Sequence, residues 1–188
     1  MSNEDWFRNK TWNPEIREAF FARLNRSKGS SKKAQFARIQ ALHLEEVGGS
    51  EMYQAAIELL DMVRENWWVD LEQVKVFHQL ARCHDRLGND KSAVEIYRKI
   101  FEVQRKIPQV ETLGHLDYGW FVIRNNRNDL FDEVNELIDE FGNSIFPATQ
   151  FQGNAIKALI LDSKGQMQAA KEWARAALDA VAAEQSGL

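Results

Sequence analysis

The fold is decided by the stretch LARCHDRLGNDKSAVEIYRKI, which spans residues 80–100. Apolar residues recur in it at spacings of three and four on both sides of Gly88, as expected of two amphipathic helices. The Gly88-Asn89-Asp90 segment supplies a residue able to adopt the positive φ that often ends a helix. The stretch therefore predicts a pair of helices joined by a tight turn.

The same pattern returns 77 residues later, in AIKALILDSKGQMQAAKEWARAAL at residues 155–178. The residues that coincide are Ala81 with Ala158, Gly88 with Gly165, Ala93 with Ala170, Tyr97 with Ala174 and Ile100 with Ala177. A small residue also occurs at about half of this shift, because Gly119 follows Ala81 by 38 residues and Ala41 precedes it by 40. Small residues let two helix backbones come close, so the sequence predicts a recurring helix pair of about 39 residues.

Helix signals continue from Asn13 onward, and runs of alternating β-branched residues bounded by turns are missing. Asn13-Pro14 predicts the first helix start, with Asn13 as its cap. Short connectors make successive helices antiparallel neighbours. We therefore expect an all-α fold of about nine antiparallel helices in one domain over residues 1–188. Its parts are an N-terminal helix at 13–30 and helix pairs at 32–68, 70–107, 110–141 and 149–184.

The net charge of -4 argues against general binding to nucleic acid, which rests on many Lys and Arg contacts to phosphates. Lys and Arg outnumber Asp and Glu in residues 1–40 (9 against 4) and 81–128 (9 against 6). The balance is reversed in residues 41–80 (2 against 8) and 129–188 (4 against 10). Such alternation suits stacked layers that attract their neighbours, although solvated faces of either sign give the same pattern.

Cys83 is the only cysteine, so no intramolecular disulfide can form and a reducing compartment fits best. The N-terminal stretch MSNEDWFRNKTW carries charges where a signal peptide would need an apolar run. No segment approaches the roughly 18 apolar residues of a membrane span. We therefore expect a cytoplasmic protein that does not bind membranes.

The region around residues 77–100 resembles the tetratricopeptide repeats. Their pattern has a large residue, Leu, a small residue and an aromatic on the first helix, Gly at the turn, and Ala, an aromatic and Ala on the second helix. The residues in these places are, in order, Phe77, Leu80, Ala81, His84, Gly88, Ala93, Tyr97 and Ile100. His84 and Ile100 depart from the pattern. The resemblance covers roughly residues 32–184 and implies an α–α solenoid.

The resemblance also implies a binding surface, because the binding residues of this family lie on the first helix of each pair and face a concave groove. The candidate residues that follow from the register are Lys75, His78, Arg82, Asp85 and Arg86, together with Trp120 and Arg124 on the first helix of the next pair. The basic members form a stripe that could clamp the carboxylates of an acidic peptide. A solvated face is the alternative for the stripe, and a core position is the alternative for Trp120.

We therefore expect a non-catalytic module that binds a protein or peptide, without a cofactor, a metal or catalytic residues. The histidines show no HExxH spacing, and there is no glycine-rich phosphate loop and no GxSxG elbow. One enzyme alternative is an HD-type metal-dependent phosphohydrolase, with His84 and Asp85 as the metal-binding pair and His43 and Asp129 as further ligands. The positive charges of the basic stripe would oppose a metal there.

A third alternative is a scaffold that self-assembles into a homo-oligomer through an exposed end of the solenoid. The residues relevant to this alternative are the aromatic residues near the N-terminus, Trp6, Phe7 and Trp12. They are expected to cap the open end of the stack, or else to form an arm that binds a partner.

Overall fold

The computed structural model describes residues 5–67 and 70–186, leaving aside the side chains of residues 70, 71 and 183–186. Within these residues the chain forms nine α-helices, one 3₁₀ turn at Asn128–Leu130 and no strand. The helices are α1 (Pro14–Arg26), α2 (Ser30–Val47), α3 (Ser50–Asn66), α4 (Asp70–Arg86), α5 (Asp90–Lys106), α6 (Gly114–Arg124), α7 (Phe131–Phe141), α8 (Pro147–Ser163) and α9 (Met167–Ser186). The predicted all-α fold is confirmed.

The helices group into two compact units, Met1–Thr112 with α1 to α5 and Leu113–Leu188 with α6 to α9. In the first unit α2 packs on α3 and α4 on α5, while α4 also packs on α3 and touches α2. In the second unit α6 packs on α7 and α8 on α9, and α6 touches α8. Within each unit, the first helix of one pair thus contacts the first helix of the next, as in an α–α solenoid. The single domain over residues 1–188 stays a prediction.

Three helix pairs close through the same kind of turn. Gly88, Asn126 and Gly165 have positive φ angles of 71°, 51° and 73°. The backbone hydrogen bonds of these turns run from Gly88 to Asp85 and Asn89 to His84, from Asn126 to Ile123 and Arg127 to Val122, and from Gly165 to Asp162 and Gln166 to Leu161. This is the Schellman pattern, which satisfies carbonyls left over at a helix end. The turns lie 38 and 39 residues apart, so the predicted period is present in the backbone.

Some helix bounds differ from the prediction by a few residues. The N-terminal helix ends at Arg26 instead of residue 30, because Ser27 is extended (φ -68°, ψ 135°) and its amide bonds back to carbonyls of the last turn. The third pair begins at Gly114, after a turn at Pro108 in which the Val110 amide bonds to the Ile107 carbonyl. The end of the pair predicted at 32–68 lies outside the described residues. None of the described helices combines the length and hydropathy that a bilayer-spanning segment requires.

The segment before α1 packs onto the first two helices. The Trp6 ring lies 5.5 Å from the ring of Phe20 on α1 and 5.0 Å from that of Phe36 on α2. The Gln40 side chain is fully buried; its amide nitrogen donates to the Asn9 carbonyl at 2.8 Å and its oxygen accepts from the Asn9 amide at 2.9 Å. As expected, Asn13 caps α1 by accepting from the amide of Ile16 at 2.9 Å.

Gly119 lies where α6 comes close to both α7 and α8 in the second unit. A Cβ atom at this position would lie 2.9 Å from Cδ1 and 3.0 Å from Cγ2 of Ile156 on α8, and 3.3 Å from Cγ1 of Val134 on α7. Gly119 therefore faces the first helix of the next pair as well as its own partner. Gly153 on α8 is different, because its Cβ would meet Ile138 at 3.5 Å, an ordinary contact distance.

We predict opposite effects for two glycine substitutions. Gly119→Val forces branched carbons into Ile156 and should lower the free energy of unfolding by about 1–3 kcal/mol. Gly153→Ala removes a flexible residue from the middle of a helix and should raise it by about 0.5–1 kcal/mol. Urea denaturation of both variants measures these changes. A shift of the same sign in both would contradict the packing described for α6 and α8.

We also predict that Cys83 does not react in the folded protein. Its side chain is fully buried, and burial, with a smaller contribution from the Glu45 carboxylate, raises the pKa of the thiol to about 12. Because only the thiolate attacks, a disulfide reagent at pH 8 should modify Cys83 only after denaturant is added. Rapid modification of Cys83 in the absence of denaturant would show that the core around α4 opens readily.

Candidate partner-binding surface

Two ion pairs join α2 to α4, the first helices of the two pairs in the first unit. Arg38 Nε on α2 lies 2.5 Å from Glu72 Oε2 on α4. Arg82 on α4 makes two bonds to the Glu45 carboxylate on α2, at 2.5 Å from Nε and 2.9 Å from Nη2. The two pairs have opposite polarity, since α2 supplies the base in one and the acid in the other. They form a charged seam along the contact of the two helices, called here the α2–α4 seam.

The seam is partly shielded from water. The side chain of Glu45 is 13% exposed and that of Arg82 is 30% exposed. Two parallel bonds between a guanidinium and a carboxylate are stronger than a single charge contact and fix the orientation of both groups. Removal of one partner from such a half-buried pair leaves the other charge poorly solvated. The seam therefore contributes to packing as well as to the surface charge.

The structure places the predicted residues of α4 in different surroundings. Lys75 is exposed, with Nζ 3.4 Å from Glu72 Oε1, and Arg86 is exposed in the last turn. Arg82 is held by Glu45, Asp85 is half-buried and His78 is buried. The basic stripe expected from the sequence thus has the carboxylates of Glu45 and Glu72 beside it. Lys75 and Arg86 are its two members that project into solvent.

Sequence reasoning missed Arg38, Glu45 and Glu72. A signal for them exists, because the partners of the two ion pairs are separated by 34 and 37 residues along the chain. These separations are close to one repeat of about 39 residues, so each pair joins similar heights on neighbouring first helices. A comparison of charges one repeat apart would have indicated the acidic partners of the stripe.

The remaining two predicted residues belong to the second unit. Trp120 is half-buried, and its Nε1 lies 3.3 Å from Gln152 Oε1 on α8. It therefore bridges α6 and α8, the two first helices of that unit, with part of its ring still accessible. Arg124 is exposed in the last turn of α6.

The candidate ligands of the enzyme alternative have other surroundings in the structure. His43 Nδ1 lies 3.0 Å from Glu46 Oε2, and burial lowers the pKa of His84, which disfavours its charged form. Asp129 accepts two bonds from Arg127. Among the described residues, no three His, Cys, Asp or Glu side chains are grouped so that they could hold a metal ion. The geometry gives this alternative no support.

Comparison with known proteins gave a match to a family of repeats. The family model described as tetratricopeptide repeat matches residues 74–107, which correspond to α4 from its second turn, the Gly88 turn and α5. No curated protein and no solved structure matched the chain significantly.

The matched segment contains Arg82, one of the two α4 members of the α2–α4 seam. Repeats of this family in general mediate interactions between proteins, so the match supports an interaction module. The match and the all-helical paired packing lead to one conclusion. This chain is a tetratricopeptide-repeat-like helical repeat protein.

Proposed function

We propose that the chain is a non-catalytic interaction module that binds an acidic protein or peptide at the α2–α4 seam. Lys75, Arg82 and Arg86 are the proposed contacts in the first unit. Trp120 and Arg124 are proposed as a separate contact surface within the second unit. The observation that supports the proposal best is the pair of bonds from Arg82, on the first helix of the matched repeat, to the Glu45 carboxylate on α2.

The Arg82–Glu45 pair supports recognition of a partner's carboxylate because the carboxylate of Glu45 already fixes the orientation of the arginine. Glu45 holds the Arg82 guanidinium in one orientation, so little side-chain entropy remains to be lost when an acidic group approaches. The Arg82 side chain is still 30% exposed, and a carboxylate of the partner can contact this exposed part. The internal acid therefore orients the arginine and at the same time competes with the partner for it.

Lys75 and Arg86 lie on either side of Arg82 on α4. They lie seven residues before and four residues after it, which places all three on one face of α4. At a rise of 1.5 Å per residue, Lys75 lies about 10 Å and Arg86 about 6 Å from Arg82 along the helix axis. An extended acidic peptide has side chains on one face about every 7 Å and can span this distance. A partner with several alternate acidic residues fits best.

We predict that loss of the two exposed charges weakens binding of an acidic peptide. The probe is a fluorescein-labelled decapeptide of alternating Glu and Ala with an amidated C-terminus, and fluorescence anisotropy gives its Kd. The double variant Lys75→Ala/Arg86→Ala should bind about five- to thirtyfold more weakly, since each exposed pair contributes about 0.5–1 kcal/mol.

The matched control is Lys91→Ala/Lys99→Ala, which removes two exposed charges from α5 and changes the net charge equally. Its Kd should stay within about twofold of the parent value if the contacts are local. Equal weakening in both double variants would mean that only net charge matters, and the proposed site would be wrong. Failure of the parent protein to bind the peptide at low salt would also count against it.

We further predict that Glu45→Gln separates binding from stability. The neutral amide weakens the hold of residue 45 on Arg82, so the acidic decapeptide should bind a few-fold more tightly. The free energy of unfolding should fall by about 1–3 kcal/mol, because the half-buried guanidinium loses a charged partner. Glu102→Gln on the exposed side of α5 is the control and should change neither quantity. A less stable variant with unchanged affinity would remove Arg82 from the site.

A further inference from the structure

The second unit contains a cleft of about 310 Å³ that the proposed partner site does not use. It lies beside the connector between α7 and α8 and is bounded by α6, α7, α8 and α9. Its floor is apolar and consists of Leu116 on α6, Ile138 on α7 and Gly153 on α8. A volume of this size is at the lower end of the range for small-molecule sites, roughly 300–1,000 Å³.

The depth of the floor depends on Gly153. A Cβ atom there would lie 3.5 Å from Ile138 Cγ2 and 3.8 Å from Leu116 Cδ2, so an alanine fits without displacing either side chain. Glycine in the middle of a helix is less stable than alanine at the same position. The open floor therefore exists at the expense of helix stability, and a single methyl group would make it shallower.

One wall of the cleft carries a cation that is almost removed from water. Lys157 lies one turn after Gly153 on α8, and its side chain is 10% exposed. Its ammonium nitrogen bonds to Oδ1 of Asp139 on α7 and lies 4.3 Å from the ring centroid of Trp173 on α9. A cation in such surroundings requires an anion nearby, and the face of an indole ring stabilises it further.

The two members of this ion pair are not equally fixed. The Asp139 side chain is 69% exposed, whereas the helix stem and the indole ring hold Lys157 in place. The Asp139 carboxylate can therefore turn into water once another anion is present to pair with the ammonium, which cannot follow it. An anion that enters the cleft can take the place of the aspartate on Lys157.

Amide side chains complete the rim. Asn143 lies in the connector, and Asn154 lies on α8 next to Gly153. Side-chain amides can both donate and accept hydrogen bonds, so they can satisfy the polar groups of a ligand whose apolar part rests on the floor. The cleft thus combines an apolar floor, a held cation with an exchangeable counterion, and neutral hydrogen-bonding groups.

We propose that this cleft binds a small apolar carboxylic acid, with its carboxylate on Lys157 in place of Asp139 and its apolar group over Gly153. An N-acylated amino acid with an aliphatic side chain has this chemistry, and so does the last residue of a peptide with a free C-terminus. The site lies in the second unit and involves none of the residues of the α2–α4 seam. It therefore stands or falls separately from the proposed function.

Saturation-transfer NMR and calorimetry on the full chain test the proposal, with N-acetyl-leucine as the probe. N-acetyl-leucinamide, which lacks the charge, should bind at least about tenfold more weakly. A ten-residue peptide ending in leucine with a free carboxylate identifies the source. Tighter binding of the peptide than of N-acetyl-leucine indicates a chain terminus, and equal or weaker binding indicates a free acid. Absence of binding by both would overturn the proposal.

Lysine variants on α8 provide a matched pair. Lys157→Met keeps an unbranched side chain that is one atom shorter but removes the charge, and it should weaken N-acetyl-leucine binding about tenfold or more. Lys164→Met is the control, because Lys164 bonds to Asp132 one heptad further along the same two helices, outside the cleft. It should leave the affinity unchanged. Similar losses in both variants would show that the cleft cation has no specific role.

Two further variants keep the proposal testable if Lys157→Met folds poorly. Asp139→Asn removes the competing carboxylate and should strengthen binding a few-fold, while Asp132→Asn should not. Gly153→Ala fills the floor and should weaken binding severalfold although the protein becomes more stable, a combination that a purely structural effect cannot give. Unchanged affinity in both Asp139→Asn and Gly153→Ala would place the ligand elsewhere.

Discussion

The helix pairs depend on one backbone constraint, the positive φ angle with which the first helix of a pair ends. At Gly88, Asn126 and Gly165 this angle lets two amides bond back to carbonyls of the last turn and sends the chain into the second helix. The side chains that pack each pair come into register only after this reversal. The α4 half of the α2–α4 seam and the cleft of the second unit are both built on helices that are paired in this way.

The sequence predicts two of these three turns well, because Gly88 and Gly165 are single glycines between strongly periodic segments. Asn126 is hidden in a run of four polar residues at 125–128, any of which could end the helix. The nine helices seen in residues 5–67 and 70–186 follow from periodicity and were predicted correctly. The end of α1 at Arg26 was not, since an extended Ser27 is a local choice that the later glycine in the KGSS segment does not reveal.

The candidate surface was only partly predictable for a related reason. Helical spacing puts Lys75, Arg82 and Arg86 on one face of α4, and this needs no knowledge of the neighbouring helix. The carboxylates of Glu45 and Glu72 enter only when the register between α2 and α4 is known, because each bonds to a helix one repeat away. The same limit applies to the cleft, where Lys157 is an isolated charge in an apolar sequence until Asp139 and Trp173 are placed around it.

The contact between Asn9 and Gln40 has a consequence for how this array can be lengthened. In repeat proteins each helix pair has a face that the next pair covers. A terminal element must cover the face that is left at the end of the array. Here an irregular segment, with Trp6 against Phe36 and Asn9 bonded to buried Gln40, occupies part of the first unit's helical surface. A duplicated repeat inserted between this segment and α2 would separate the buried Gln40 side chain from Asn9, whose backbone bonds to both its nitrogen and its oxygen. Duplication of a whole helix pair next to another pair of the same geometry is therefore easier than insertion on the N-terminal side of α2.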